Sequence, residues 1–174
     1  MVGSAVLLIA VAVVVLRPWE RDPDPAPAEA TVQVTRVVDG DTIEVRLGGR
    51  SKDVRLIGVD TPETVKPDTP VQCFGERASH FTKRRLTGRR VRLVFGVERR
   101  DVYGRLLAYV YLANPTLSGP QQGQSRQRRL FNAILVRRGL ARSLTIPPND
   151  RFAPRFRHLE LVAARAGRGL WAAC

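Results

Sequence analysis

The chain has 174 residues, with 29 Lys and Arg against 16 Asp and Glu, which gives a formal net charge of +13. That length fits one compact domain with a tail. The excess of arginine favours a polyanionic partner, nucleic acid first and an anionic membrane surface second, because guanidinium groups bind phosphate oxygens in pairs. The two histidines show no metal-ligand spacing, which argues against a Cys/His metal centre. Since a GC-rich genome also enriches arginine, charge alone does not fix the function.

The N-terminal segment is apolar. Residues 2–16 carry no charge and would span roughly 22 Å as a helix, which is short for a membrane crossing and typical of a signal peptide. We therefore predict a signal or anchor segment over residues 1–16 in an exported protein, secreted or anchored to the outer face of the cell membrane. Arg17 and Arg21 follow the run instead of preceding it, which a start codon further upstream would explain. Cleavage within residues 26–30 and anchoring through residues 2–16 both stay open.

A linker and five strands follow along the chain. Residues 17–30 are rich in proline and predict an extended linker, after which one domain is expected over residues 31–174. Alternating apolar residues then predict the strands. Their markers are Val32 and Val34, Ile43 to Leu47, Val54 and Leu56, Val91 to Phe95, and Leu106 to Leu112. The Asp39-Gly40 pair between the first two strands is a strong hairpin signal.

Apolar residues at helical spacing predict three helices among these strands. The helices lie around Phe74 to Phe81, over Leu130 to Arg138 with Gly139 at the end, and over Phe152 to Ala163. A helix inserted after the third of five short strands is typical of a barrel that commonly binds nucleic acid. The sequence therefore predicts an α+β fold, a five-stranded OB-type Greek-key β-barrel with three α-helices.

A polar loop lies between the fifth strand and the second helix. It is rich in Gly, Pro and Gln over residues 114–129 and ends with Arg126, Arg128 and Arg129. These arginines are candidate nucleic-acid contacts, since loops often carry binding residues. A solvated insertion without a function is the alternative, and it is the commoner fate of such loops.

Carboxylates and arginines gather at the predicted strand ends. Asp41 begins the second strand, Asp60 and Glu63 follow the third, and Arg55 and Arg105 lie in or next to strands. Phosphodiester hydrolysis needs an activated water and positive charge near the phosphate, and a hard cation on carboxylates together with arginines can supply both. Except for Glu63, which has no obvious structural role, each residue also has a structural interpretation, as part of a turn, a turn cap, a strand edge or the exposed surface. The combination is harder to explain structurally than any single member.

With these residues in place, the sequence resembles the staphylococcal nuclease (thermonuclease) family from about Thr31 to Trp171. The motifs that carry the resemblance are Val38-Asp39-Gly40-Asp41-Thr42, Arg55-Leu56, Val59-Asp60-Thr61-Pro62-Glu63, Phe74-Gly75, Asp101-Val102-Tyr103-Gly104-Arg105, Asn132 with Leu135-Val136-Arg137-Arg138-Gly139-Leu140-Ala141, and Gly169-Leu170-Trp171. Each motif is weak alone, and their common order and spacing are specific.

The resemblance implies a calcium-dependent endonuclease that acts on DNA and RNA, cuts the 5′ P–O bond and leaves 3′-phosphorylated products. It implies calcium ligands at Asp41, Asp60 and the main-chain carbonyl of Thr61. It also implies a general base at Glu63 and phosphate-binding arginines at Arg55 and Arg105. A monomer is the expected form. The alternatives are a non-catalytic nucleic-acid-binding barrel and a cell-envelope protein that holds anionic lipid or polymer.

The stretch 142–148 and the two cysteines need separate comment. The stretch 142–148 lacks the tyrosines that contact the nucleotide base in staphylococcal nuclease, which leaves base stacking and base preference open. Cys73 and Cys174 are the only cysteines, and an isolated pair in an exported protein favours a disulfide. Because they flank the family landmarks Phe74-Gly75 and Trp171, the resemblance implies that both lie near one helix.

Overall fold

The structure is a computed structural model that describes residues 28–65, 70–113 and 129–174. Its strands are β1 (Glu29–Val37), β2 (Thr42–Leu47), β3 (Arg50–Leu56), β4 (Val59–Asp60), β5 (Arg90–Arg100), β6 (Leu106–Leu112) and β7 (Arg142–Ser143). Its helices are α1 (Gly75–Leu86), α2 (Phe131–Arg137), α3 (Ala153–Arg165) and α4 (Leu170–Ala173). The predicted segment 1–16, residues 17–27 of the predicted linker 17–30, and the candidate contacts Arg126 and Arg128 lie outside the described residues.

Five of the strands form a closed barrel in the order β1-β2-β3-β6-β5. The pairs are antiparallel except β3 with β6, which run parallel, and β1 closes the barrel by pairing with β5. The predicted α+β fold with a five-stranded barrel is therefore confirmed. The parallel pair is important for the site, because it sets the register between the strand that carries Arg55 and the strand that follows Arg105.

The alternation of apolar residues explains which side of each strand faces the core. Val32, Val34, Ile43, Val45 and Val54 are at most 5% exposed, and the polar residues between them lie outside the barrel. The central helix α2 buries six consecutive residues, Phe131 to Val136, because it lies between the barrel and α3. Removing this apolar surface from water is the main contribution to the stability of the fold.

The structure differs from the sequence expectations at short elements. The two-residue strands β4 and β7 form a second small sheet, and α4 adds a fourth, four-residue helix. Elements of this length carry no periodic pattern, so the sequence does not indicate them. Strand β1 begins at Glu29, two residues before Thr31, because Glu29 pairs with Val94 and its carboxylate accepts a hydrogen bond of 2.6 Å from Arg92 Nη1. Within the described part of the chain, no helix has the length and apolar character to cross a membrane.

Candidate functional site

Asp41 is the buried carboxylate at the centre of the site. It precedes β2 directly and is 4% exposed. Its Oδ2 accepts hydrogen bonds from the main-chain N–H of Thr61 at 2.7 Å and from the Thr61 hydroxyl at 2.9 Å. These bonds hold the chain after β4 against the start of β2. Burying a carboxylate is costly unless it is hydrogen-bonded or paired, and Asp41 meets both conditions.

Gly40 makes the contact between Asp41 and Thr61 sterically possible. A Cβ atom at position 40 would lie 2.7 Å from side-chain atoms of Thr61, which is closer than van der Waals contact allows. The carbonyl of Gly40 also accepts a buried hydrogen bond of 2.7 Å from Thr82 in α1. The Asp39-Gly40-Asp41 turn is therefore fixed by tertiary contacts on two sides as well as by its local turn preference.

Arg55 joins the two candidate metal-binding carboxylates. Its Nη1 lies 3.2 Å from Asp41 Oδ1, and its Nη2 lies 3.0 Å from Asp60 Oδ1. Nη1 also donates to the carbonyls of Leu56 and Val59, so the guanidinium group is fixed at four points. The Arg55 side chain is 14% exposed, whereas that of Asp60 is 55% exposed. The cluster is thus buried at Asp41 and opens to solvent at Asp60.

Asp39 is a second carboxylate in the Asp39-Gly40-Asp41 turn. Its Oδ1 accepts a hydrogen bond of 3.0 Å from the main-chain N–H of Asp41. Burial, followed by the negative charge of Asp41, raises the pKa of Asp39 to about 6. From sequence, Asp39 was interpreted only as a hairpin residue. The raised pKa therefore reflects mainly the burial of this carboxyl group, and the charge of Asp41 adds to it.

Glu63 lies two residues after Thr61, in a loop that its own side chain helps to order. Its Oε1 accepts hydrogen bonds of 2.8 Å from the main-chain N–H groups of Thr64 and Val65. The position of Glu63 in the chain indicates no structural role, and these bonds supply one beside the candidate role as a general base. The loop packs against Gly75, where a Cβ atom would lie 3.0 Å from the carbonyl oxygen of Glu63.

Gln72 holds the main chain of Glu63 on both sides of the residue. The N–H of Gln72 donates to the carbonyl of Glu63 at 2.9 Å, and the side-chain oxygen of Gln72 accepts from the N–H of Glu63 at 3.0 Å. Sequence reasoning missed this residue, since a glutamine in a loop carries no recognisable signal. The adjacent residue Cys73 forms a disulfide with Cys174, with Cα atoms 6.0 Å apart. The covalent bond therefore ties the Glu63 loop to the C-terminus.

Arg105 is held by Asp101, four residues earlier in the turn between β5 and β6. Asp101 Oδ2 accepts from Arg105 Nε at 2.7 Å, and Asp101 Oδ1 accepts from the main-chain N–H groups of Tyr103 and Arg105. The guanidinium group also lies over the ring of Tyr103, 5.3 Å from its centre. Its Nη atoms stay outside the Asp101 bond, and the side chain is 30% exposed.

The barrel places Arg55 and Arg105 on the same face. In the parallel pair of β3 and β6, Arg55 is opposite Leu107 and Val54 is opposite Leu106. Side chains two residues apart point to the same side of a strand, so Arg105 and Leu107 share the outer face with Arg55. The structure therefore brings Asp41, Arg55, Asp60 and Thr61 into direct contact, with Glu63 in the next loop turn and Arg105 on the adjoining strand.

The donor set fits a hard divalent cation in its chemistry. Asp41, Asp60 and the carbonyl of Thr61 offer oxygen atoms, the donors that calcium and magnesium prefer. Both carboxylates share the single positive charge of Arg55, so the cluster keeps negative charge that a cation would balance. Across residues 28–65, 70–113 and 129–174, no three His, Cys, Asp or Glu side chains converge as a ligand group. A cation here would therefore rely partly on main-chain and water oxygens, which calcium accepts in its irregular shells.

Two further candidate regions are placed by the structure. Arg129 follows the undescribed segment 114–128, and its carbonyl accepts from the N–H of Leu112. The region without tyrosines presents aliphatic side chains instead, with Leu144 at 37% and Ile146 at 59% exposed. It is joined to the site because Arg142 in β7 pairs with Asp60 in β4.

Comparisons with known proteins agree with this arrangement. The family model described as staphylococcal nuclease homologue matches residues 53–173. The thermonuclease of Staphylococcus intermedius is 40% identical over 98% of this chain and 97% of its own length, and that of Staphylococcus hyicus is 43% identical over 82% and 76%. Endonuclease YncB of Bacillus subtilis is 39% identical over 80% of this chain and 61% of its own length. The chain belongs to the staphylococcal nuclease family.

Proposed function

We propose that this protein is an exported endonuclease that hydrolyses the phosphodiester bonds of DNA and RNA with the aid of calcium. Membership of the staphylococcal nuclease family, with relatives named thermonuclease and endonuclease, makes the chain a phosphodiester-hydrolysing nuclease. The proposal adds the cation, the bond that is cut and the export. We further propose that it cuts the 5′ P–O bond and leaves 3′-phosphorylated products.

The observation that carries the proposal is the cluster of Asp41, Arg55 and Asp60. Arg55 has a side chain that is 14% exposed and bridges two carboxylates, one of them half exposed, which suits an anionic substrate better than it suits stability. Buried ion pairs are weak contributors to stability because desolvation opposes the attraction between the charges. The main-chain N–H of Thr61 donates to Asp41 Oδ2 at 2.7 Å, which keeps Thr61 beside this carboxylate.

The proposed division of roles follows from charge and exposure. Asp41, Asp60 and the carbonyl of Thr61 would hold the cation, which when bound polarises a phosphate oxygen. Arg55 and Arg105 would bind the remaining phosphate oxygens and stabilise the charge that develops as the water attacks. Arg105 suits this role because Asp101 fixes its Nε and leaves its Nη atoms to bind an anion.

Glu63 is the proposed general base. It would accept a proton from the attacking water, and a general base must lie within hydrogen-bond reach of that water. The hydrogen bonds from the main-chain N–H groups of Thr64 and Val65 to Oε1 would orient the carboxylate for this role. The second anchor of this loop, Gln72, would then fix the distance between the carboxylate and the phosphate.

The test uses the full chain with a single-stranded DNA substrate, with calcium or with chelator. We expect cleavage to require calcium and to fall by at least about 100-fold in Glu63→Gln and in Arg105→Ala, as expected for lost transition-state contacts. Arg46→Ala is the matched control for Arg105→Ala, because Arg46 is an exposed residue of β2. Mass spectrometry of the products should find 3′-phosphates. Activity that persists in chelator, or binding without turnover under any divalent cation, would refute the proposal.

Export is tested separately in the native cells. N-terminal sequencing of the mature protein, together with its partition between medium and membrane, distinguishes a cleaved from an anchored form. A protein found only in the cytoplasm with an intact N-terminus would refute export and leave the nuclease assignment untouched.

A further inference from the structure

An arginine-lined cleft lies outside the cluster of Asp41, Arg55 and Asp60. It has a volume of about 750 Å³ and is bordered by α1, the end of α2 and the segment before α4. We call it the arginine cleft, because five arginines line it: Arg77, Arg84, Arg137, Arg138 and Arg168. None of the ten residues described as lining it is Asp or Glu. Such a single-sign concave surface concentrates anions, because like charges in a cleft reinforce one another.

The arginines of this cleft come from two walls held at close range. Arg77 and Arg84 are seven residues apart on α1, which places them on one side of the helix two turns apart. The opposite wall is formed where the chain after α2 meets the chain before α4. There Gly139 and Gly169 allow the backbones to touch, and the N–H of Leu170 donates to the carbonyl of Gly139 at 2.8 Å.

Aromatic rings and main-chain groups pre-orient several of these guanidinium groups. Arg77 lies over the ring of Phe74 at 5.4 Å, and Arg138 lies over the ring of Phe81 at 5.1 Å. Arg168 Nη1 donates to the carbonyl of Arg137 at 3.3 Å. Across the three described ranges, none of the five arginines pairs with a carboxylate. Stacked arginines that lack a protein counter-ion keep their N–H donors for an external anion, and less side-chain entropy is lost on binding.

The cleft connects with the nuclease site through neighbouring depressions. A depression of about 340 Å³ shares Phe74 and Arg77 with the cleft and extends to Gln72 and Cys73. A third, of about 200 Å³, shares Gln72 and Cys73 with the second and reaches Asp60 and Thr61. The three depressions therefore adjoin one another through shared residues, from the arginines past the disulfide to Asp60 and Thr61.

We propose that the arginine cleft is an exosite that binds the phosphate backbone of a nucleic-acid strand whose distal part is being cut at the Asp41–Arg55–Asp60 site. The proposal rests on the nuclease function of the chain. A nucleic-acid strand suits the surface better than a lipid bilayer, because the cleft is concave whereas a bilayer presents a flat surface. Its role would be to hold long substrates, so that affinity rises with strand length while the chemistry at the scissile bond is unchanged.

The test compares two double variants of the full chain that remove equal charge. Arg77→Gln/Arg84→Gln alters the cleft, and Arg46→Gln/Arg50→Gln alters exposed arginines of the β2–β3 hairpin. Binding of a DNA strand of about 30 nucleotides is measured in chelator, over a range of salt concentrations. Loss of two phosphate contacts should weaken binding about tenfold and reduce the slope of log affinity against log salt by about 1.4.

Cleavage of a dinucleotide with calcium gives the second readout. The cleft variant should keep kcat/KM for the dinucleotide within about twofold while its KM for the long strand rises about tenfold. A long-strand affinity and salt slope equal to those of the hairpin variant would overturn the exosite. Selective loss of binding to phosphatidylserine vesicles, with DNA binding intact, would assign the cleft to lipid and also overturn it.

The outcomes separate this inference from the proposed function. If the unaltered protein fails to cut single-stranded DNA with calcium, the catalytic proposal fails, and the binding measurement in chelator still tests the cleft. If the α1 substitutions lower the melting temperature, Arg137→Gln probes the opposite wall, with an expected reduction of the salt slope by about 0.7.

Discussion

Gln72 and Glu63 are joined by two hydrogen bonds, one through each main-chain polar group of Glu63. One of the two uses the side-chain oxygen of Gln72 and therefore depends on the residue type. The other uses the main-chain N–H of Gln72 and depends only on the path of the loop. The next residue, Cys73, is bonded covalently to Cys174. The loop that carries the candidate base is therefore fixed from its C-terminal side.

We expect Gln72→Ala to lower kcat about tenfold with a smaller change in KM. The substitution removes the acceptor for the N–H of Glu63, and small displacements of a catalytic group are costly to the rate. Gln72→Glu keeps an acceptor oxygen and should retain most of the activity. Steady-state kinetics on single-stranded DNA distinguish the two variants, and equal losses in both would show that the side-chain bond does not matter.

Cys174→Ser should destabilise the fold by about 4–5 kcal/mol at most, because the disulfide closes a loop of 101 residues in the unfolded chain. Urea unfolding measures the change. The unaltered protein with excess reductant should unfold like the variant, and Cys73→Ser/Cys174→Ser should match the single substitution. A loss below about 1 kcal/mol would show that the bond contributes little beyond positioning the loop.

Arg55→Lys should destabilise the protein by about 2 kcal/mol and remove most activity. A lysine keeps the charge, but its single ammonium group cannot bridge Asp41 and Asp60 while also binding two carbonyls. Arg36→Lys is the matched control, since Arg36 pairs with Glu44 on the surface at 3.1 Å. Exposed pairs contribute about 0–1 kcal/mol, so the control should unfold almost as the unaltered protein does. Equal stability of the two variants would contradict the bridging role.

Asp101→Asn should lower kcat about tenfold and leave stability nearly unchanged. The amide oxygen can still accept from Tyr103 and Arg105 main-chain groups, but the carboxylate oxygen that holds Arg105 Nε is lost. The orientation of the guanidinium group then varies, and an arginine that stabilises a transition state depends on orientation. The decisive measurement is kcat of the double variant Asp101→Asn/Arg105→Ala. It should be little lower than kcat of Arg105→Ala alone, because Asp101 acts through Arg105.

Gly139→Ala should destabilise the fold by more than about 3 kcal/mol. Its φ is +65°, and an added Cβ would lie 2.0 Å from the carbonyl oxygen of Arg168. Gly88 provides the control, with a φ of +72° and nothing within 4 Å of an added Cβ. Gly88→Ala should cost only about 1 kcal/mol, the price of the left-handed conformation alone. Thermal unfolding of both variants separates the steric contact from the backbone strain.

The barrel was readable from sequence because its pattern is local. Val32, Val34, Ile43 and Val45 alternate with polar residues, and a strand with one buried face imposes that period. The three longer helices follow in the same way from apolar residues at helical spacing. Strands β4 and β7 escaped prediction, because two residues cannot display a period and their pairing joins segments about eighty residues apart.

For the residues of the site, too, local features were predictable from the sequence and contacts between distant segments were not. Sequence alone determined the types, order and spacing of Asp41, Arg55, Asp60, Glu63 and Arg105, since each stands beside a local turn or strand signal. Only the tertiary structure decided that Arg55 lies between Asp41 and Asp60, that Gln72 holds Glu63, and that arginines from three helical regions line one cleft. Those relations depend on strand register and on close backbone approach at glycines, which are properties of the packed chain and leave no periodic trace along it.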